Sequence, residues 1–147
     1  MKLDTINLQI LEELQHNARA PLTEISKKVG LSSPTVAERI QKMEDTGIII
    51  GYTTNLNMES LGYALGVYIS IKIRFGQVQN FKEFIKTVPE ICECHKLTGH
   101  DCMMMKGVVR NPKHLEELNA KLSMYGELTT SLILSSIIKN RVYNKGF

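Results

Sequence analysis

The sequence predicts an α+β protein in two parts. An N-terminal helix-turn-helix (winged-helix-like) domain spans residues 1–50, and a C-terminal ferredoxin-like βαββαβ plait spans residues 63–147, joined by an extended linker over 51–62. Three observations predict this. Apolar residues in the first fifty positions recur every three or four residues, the period of a helix, and a glycine turn interrupts them. From Leu65 the apolar period drops to two, that of a strand with one buried face. Beyond it the periods alternate as strand, helix, strand, strand, helix, strand, the order of a plait.

The elements of the head follow from local chemistry. Asp4 caps a first helix whose apolar positions are Ile6, Ile10, Leu11 and Leu14, spaced to form one face. That helix ends near Asn17-Ala18, ahead of Pro21, whose missing N–H suits a helix start and not an interior. A short second helix runs roughly from Leu22 to Val29, with Leu22, Ile25 and Val29 inward and Ser26 small enough for a close crossing. Gly30 supplies the left-handed residue that stops it. Leu31 returns to the core, and Ser32 or Ser33 caps a third helix with Pro34 in its first turn. Val36, Ile40 and Met43 form the buried stripe of that helix, and Gly47 terminates it.

Ile48 to Thr54 is rich in β-formers and reads as an extended strand leaving the head. A strand must pair its backbone groups, and a second copy of itself is the simplest partner. In the plait, Val67, Ile69, Ile71, Ile73 and Phe75 share one face of the first strand, and Tyr68, Ser70, Lys72 and Arg74 the other. A helix with Val78, Phe81, Ile85 and Val88 inward stops before Pro89. Ile91–Thr98 and Cys102–Val109 are the next strands, around a Gly99-His100-Asp101 turn. Asn111 caps a second helix with Leu115, Leu118 and Leu122 inward, and Leu128–Ile138 is the last strand. Both helices cover one sheet face. The other face is left bare, and since monomers seldom leave a whole apolar sheet face in water, self-association is expected.

Composition narrows the class without naming a function. With 43% hydrophobic and 22% charged residues, the 147-residue chain reads as a folded globular protein. No apolar run approaches the ~18 residues of a membrane helix, so no membrane partner is expected. Acids at Asp4, Glu12 and Glu13 interrupt any apolar leader near the start. Three cysteines, Cys92, Cys94 and Cys102, are an odd number that favours reduced thiols in a cytoplasm. The net charge is +3, yet residues 1–60 hold six Lys/Arg against eight Asp/Glu. Only 19–42 is basic, with Arg19, Lys27, Lys28, Arg39 and Lys42 against Glu24 and Glu38. Charge alone does not mark a nucleic-acid binder.

Local pattern does. A short helix, a glycine turn and a polar-faced third helix have the spacing of a helix-turn-helix that places its last helix in the DNA major groove. The expected contact set is Ser32, Ser33, Thr35, Glu38, Arg39 and Lys42. Short hydroxyls at the helix start meet base edges or phosphates, and Arg39 and Lys42 neutralise phosphates farther along. The plainer alternative is a solvated helix face on an ordinary helical bundle.

The chain also resembles the Lrp/AsnC family of bacterial and archaeal regulators. The resemblance rests on Leu3-Asp4, Ile10-Leu11, Glu13-Leu14-Gln15, Arg19, Val29-Gly30-Leu31-Ser32, Glu38-Arg39, Gly47-Ile48-Ile49, Gly51-Tyr52-Thr53 and Leu61-Gly62. In the C-terminal half it rests on Pro89, Glu93-Cys94-His95 and Thr98-Gly99. It implies a transcription regulator acting on double-stranded DNA, at the nucleoid in the cytoplasm. It further implies homodimers linked by strands, often gathered as a tetramer of dimers into octamers, with an amino-acid effector held between plait domains near the Gly99 turn. The effector residues so implied are Thr98, Gly99, His100, Asp101 and Cys102. Many members carry an acid three residues after that glycine; here the position is Cys102 and the acid is Asp101, one residue early.

Other constellations carry weaker chemistry. Cys92-x-Cys94-His95 could hold a metal, but an alternating strand turns His95 away from the two cysteines, and structural zinc sites use more open spacings. Met103-Met104-Met105 reads as core filling. No phosphate loop, nucleophile elbow or paired carboxylates is present, so neither an enzyme nor a cofactor or metal is expected. Two other readings stay open: an architectural DNA-binding protein without effector, and a metabolite-binding plait with a helical lid.

Overall fold

The computed structural model describes residues 3–99 and 103–143. In chain order it holds α1 (Thr5–His16), α2 (Leu22–Val29), α3 (Ser33–Asp45), β1 (Leu65–Ile73), α4 (Val78–Ile85), β2 (Ile91–Lys96), β3 (Met103–Val109), α5 (Pro112–Ser123) and β4 (Gly126–Leu132). Two compact units form: Met1–Asn55 together with the chain from Ile138 onward, and Leu56–Ile137. The linker read from sequence is thus divided between them, and residues 138–143 group with the helical head.

In the first unit each helix begins and ends for a local reason. The Asp4 carboxylate accepts the Asn7 N–H at 2.7 Å, satisfying a free donor at the start of α1. Gly30 ends α2 at φ +69°, where a side chain would be strained. Ser32 caps α3 by accepting the Thr35 N–H at 3.3 Å, with Pro34 in the first turn. Ile10, Ile25, Val36 and Met43 form the buried core, flanked by Ile6, Leu14, Val29, Leu31 and Ile40. Leu22, expected inward, is 39% exposed; it opens α2, where the core no longer covers the apolar stripe.

The stretch Ile48–Thr54, expected as a strand, forms no ladder within the chain. Ile48 and Ile49 donate backbone N–H groups to the Met43 carbonyl at 2.9 and 3.0 Å and pack on the helical core. Ile50 is 95% exposed. Among the described residues no second strand lies beside this segment, so its β-formers join no ladder and no β-wing accompanies the helices.

The second unit is a four-stranded antiparallel sheet in the order β2-β3-β1-β4, the plait topology expected. Val67, Ile69 and Ile71 of β1 and Met103, Met105 and Val109 of β3 meet Phe81 of α4 and Leu118 and Leu122 of α5 in one core. Tyr125 meets Phe81 edge-on at 5.6 Å and stacks on Phe84 at 4.8 Å. Phe75 and Val78 fall outside this core, since Phe75 follows the end of β1 and Val78 opens α4.

Two expectations for the plait are corrected. The open sheet face is not apolar: it carries Tyr68, Ser70 and Lys72 from β1, Met104, Lys106 and Val108 from β3, Glu93 and His95 from β2, and Glu127, Thr129 and Ser131 from β4. Lys72 lies opposite Glu127, and Lys106 reaches Glu93 at 3.2 Å. Exposed apolar side chains gather instead in the unladdered segments, at Ile50, Leu56 and Leu61 and at Leu134, Ile137 and Ile138. The last strand is also shorter than expected. It spans Gly126–Leu132, and the Ile133 N–H makes a closing bond to the Gly66 carbonyl at 2.9 Å. Beyond Gly66 β1 is nearly spent, so Leu134 to Ile138 join no ladder among the described residues.

Candidate nucleic-acid interface

Helix α3 buries one face and exposes another. With Val36 and Met43 buried and Ile40 packed beside them, Pro34, Glu38, Gln41, Lys42 and Asp45 are left exposed. The polar residues expected to meet DNA divide into two groups. Glu38 and Lys42 are exposed. The others already have partners within this unit: the Ser32 and Thr35 hydroxyls lie 2.8 Å apart, and the Ser33 hydroxyl donates to that of Ser26 on α2 at 3.2 Å.

Arg39 departs most from expectation. Its guanidinium turns toward α1, where one nitrogen donates to the Asp4 carboxylate at 2.7 Å and to the Asn7 side-chain carbonyl at 2.8 Å. Asn7 is only 4% exposed. The hydrogen bond from Arg39, then that from the Asn7 N–H, holds the Asp4 carboxyl below its ordinary range. Gln41 was not among the residues expected to meet DNA. It lies one turn from Glu38 on the exposed face and donates to Asp45 at 2.9 Å; the spacing of Val36, Ile40 and Met43 already assigned it there.

The far end of α3 is held by the segment that follows it. The Tyr52 hydroxyl donates to Glu44 at 2.7 Å. Burial first, then that carboxylate, push the Tyr52 pKa up to about 12. On α1, Gln15 makes two bonds to the Tyr143 backbone, its amide nitrogen donating and its carbonyl accepting, each at 2.8 Å.

In the second unit the candidate effector turn joins β2 to β3. Thr98 and Gly99 are exposed, with Gly99 at φ +107°. His100, Asp101 and Cys102 lie outside the described residues. A bulge shifts β2 against β3 between Ile91 and Glu93, so Cys92 is the extra residue, its thiol 3.2 Å from the Lys106 carbonyl. Cys94, opposite Met105, takes the helix side, and His95, opposite Met104, takes the open side. Burial pushes the Cys94 thiol pKa up. Among the described residues no three metal-ligating side chains converge.

Comparison with known proteins bears on both units. The model of the AsnC-type helix-turn-helix domain matches residues 3–44, and that of the Lrp/AsnC ligand binding domain matches residues 66–143. The chain belongs to the Lrp/AsnC family. The transcriptional regulator LrpC of Bacillus subtilis is 34% identical over 93% of this chain and 95% of its own. The solved structure of that protein superposes with a TM-score of 0.90 at 33% identity, covering 95% of this chain and all, 100%, of the other. The regulator FL11 of Pyrococcus furiosus is 38% identical over 86% of this chain and 82% of its own. A transcriptional regulator of Neisseria meningitidis, solved as a complex with L-Met, superposes with a TM-score of 0.89 at 27% identity, covering 97% and 96% of the two chains. This Lrp/AsnC protein is therefore a DNA-binding transcription regulator with an N-terminal helix-turn-helix and a C-terminal α+β domain of the ligand-binding type. No helix among the described residues is long and apolar enough to cross a membrane.

Proposed function

We propose that this regulator reads duplex DNA with the exposed face of α3 and responds to an amino acid at the β2–β3 turn. One observation carries the first half: α3 is anchored through Val36 and Met43 while Glu38, Gln41 and Lys42 stand together in solvent. Gln41 offers an amide suited to an adenine edge, Glu38 an acceptor suited to cytosine, and Lys42 a cation for phosphate. Ser32, Ser33 and Thr35 bring the N-terminus of the helix and its hydroxyls to the backbone. The reading species is a homodimer, and dimers gather further into an octamer. Exposed Ile50, Leu56, Leu134 and Ile137, on segments without an in-chain ladder, support such an assembly. No catalytic role, cofactor or metal is assigned, and the regulator acts in the cytoplasm on nucleoid DNA.

Support for the amino acid comes from the ligand-binding family model over residues 66–143 and from the L-Met complex of the Neisseria relative. Thr98, Gly99, His100, Asp101 and Cys102 are the proposed contacts. Backbone amides of the turn receive the carboxylate, and Asp101 pairs with the α-ammonium. Calorimetry of the full chain with each of the twenty amino acids tests this. At least one is expected to release heat, and Asp101→Asn to weaken it roughly ten- to a hundredfold, as for one charge-assisted bond. Silence across all twenty sinks the effector and favours an architectural DNA-binding role.

A further inference from the structure

We propose that Arg39 is a positioning residue: with Asp4 and Asn7 it locks the reading helix α3 to the start of α1, and it acts on DNA through that lock. The inference rests on the reading of α3 given above and alters the part Arg39 plays in it. Asp4 does two jobs with its two oxygens. One caps α1 through the Asn7 N–H at 2.7 Å, and the other receives the Arg39 guanidinium at 2.7 Å. The same guanidinium nitrogen supplies the Asn7 side-chain oxygen at 2.8 Å. Asn7 is 4% exposed, so removing Arg39 takes away the donor to an acceptor that is buried in the intact protein.

An exposed ion pair alone would contribute little. Here Asp4 is exposed, at 52%, but Arg39 is only 29% exposed and the same guanidinium is joined to a buried amide. The lock also sits at a mechanically useful place. Arg39 lies one position after Glu38 and two before Gln41, so it fixes the rotation of α3 about its axis at the level of the reading residues. Rotating the helix by a few degrees moves the tips of Gln41 and Lys42 relative to base edges. A cation spent on Asp4 and Asn7 is, in turn, withdrawn from the phosphates.

The lock is tested with the full chain and four proteins: wild type, Asp4→Asn, Arg39→Ala and the double variant. Asparagine still caps a helix, so Asp4→Asn removes the ion pair while keeping α1 capped. Each protein is titrated, over a range of salt, with a duplex selected by the wild type from random sequence and with an unrelated duplex. The lock predicts that Arg39→Ala weakens binding to the selected duplex by about two- to tenfold, with Asp4→Asn milder and the double variant no worse than Arg39→Ala. Binding to the unrelated duplex and the slope of log affinity on log salt stay unchanged. A slope flatter by about 0.9 in Arg39→Ala, with equal losses on both duplexes, means a phosphate contact and overturns the proposal. No effect on the selected duplex, or a fall in melting temperature without a fall in selectivity, overturns it as well. Titrating the Asp4 carboxyl by NMR without DNA separates the lock from the reading of α3. Its pKa rises in Arg39→Ala if the lock exists, whether or not the wild type selects a site.

Discussion

Glu90 and His114 show how a single buried pair stabilises the plait. Glu90 is 8% exposed, and one of its carboxylate oxygens accepts from the His114 ring at 2.9 Å. The other ring nitrogen accepts the Arg110 N–H at 3.2 Å, which places the ring proton on the side facing Glu90. Burial pushes the Glu90 carboxyl up, but the His114 hydrogen bond, then one from its own backbone N–H, then nearby Lys121 outweigh it and hold the group below the usual carboxylate range. A lowered folded-state pKa means stability that is present above the unfolded value, about 4.3, and lost as pH falls through the folded one. His114→Ala leaves a buried carboxylate without its side-chain donor and should cost about 1–3 kcal/mol at pH 7. Urea unfolding at pH 7 and pH 4 reads both effects, and the acid-induced loss should shrink in the variant. An unchanged midpoint at pH 7, or equal acid losses in the two proteins, contradicts this role. Residues whose partners are near in sequence were legible beforehand: Asp4, Ser32 and Asn111 cap helices three positions on. Arg39 was not, because its partners Asp4 and Asn7 lie 35 and 32 residues away and nothing in its own neighbourhood points to them.

At the scale of elements, sequence pattern located each helix and sheet strand among the described residues, and failures fell where an element ends or lacks a neighbour. Leu22, Phe75 and Val78 continue an apolar period past the point where the core covers it. Ile48–Thr54 and Leu134–Ile138 have strand composition but no ladder, because pairing depends on a partner and not on propensity. Pairing also constrains glycines that composition cannot flag. A Cβ on Gly126 would collide with the Lys72 carbonyl oxygen and come within 2.9 Å of the Ile73 Cα, so β4 could not keep its place beside β1. A Cβ on Gly66 would meet only the tip of the Ile133 side chain at 3.1 Å, which can turn away. Gly126→Ala should therefore lower the stability of the plait by roughly 1–3 kcal/mol, the range for overpacking. Gly66→Ala should be nearly silent. Thermal melts of the two variants check the contrast, and equal melting temperatures would refute it.

For the whole molecule, the division of labour was legible in the sequence, with a helical reader first and a plait second. The open face of the plait was misjudged although Tyr68, Ser70 and Lys72, the outward residues of β1, already made it largely polar; Lys106 of β3 and Glu93 and His95 of β2 keep it mixed. Assembly is therefore proposed through the apolar segments outside the ladders. A two-fold dimer carries two copies of α3 and should protect two half-sites about one helical turn of DNA apart, or a multiple of that. Reading by α3 is tested most directly by a footprint on DNA selected by the wild type, compared with the variant Glu38→Ala/Gln41→Ala/Lys42→Ala. These side chains are exposed, so the variant should fold and assemble as the wild type does. The wild type should give paired, evenly spaced protection, and the variant should lose sequence preference while keeping weak nonspecific binding. An unchanged footprint in the variant, or protection of a single unpaired site, would contradict this.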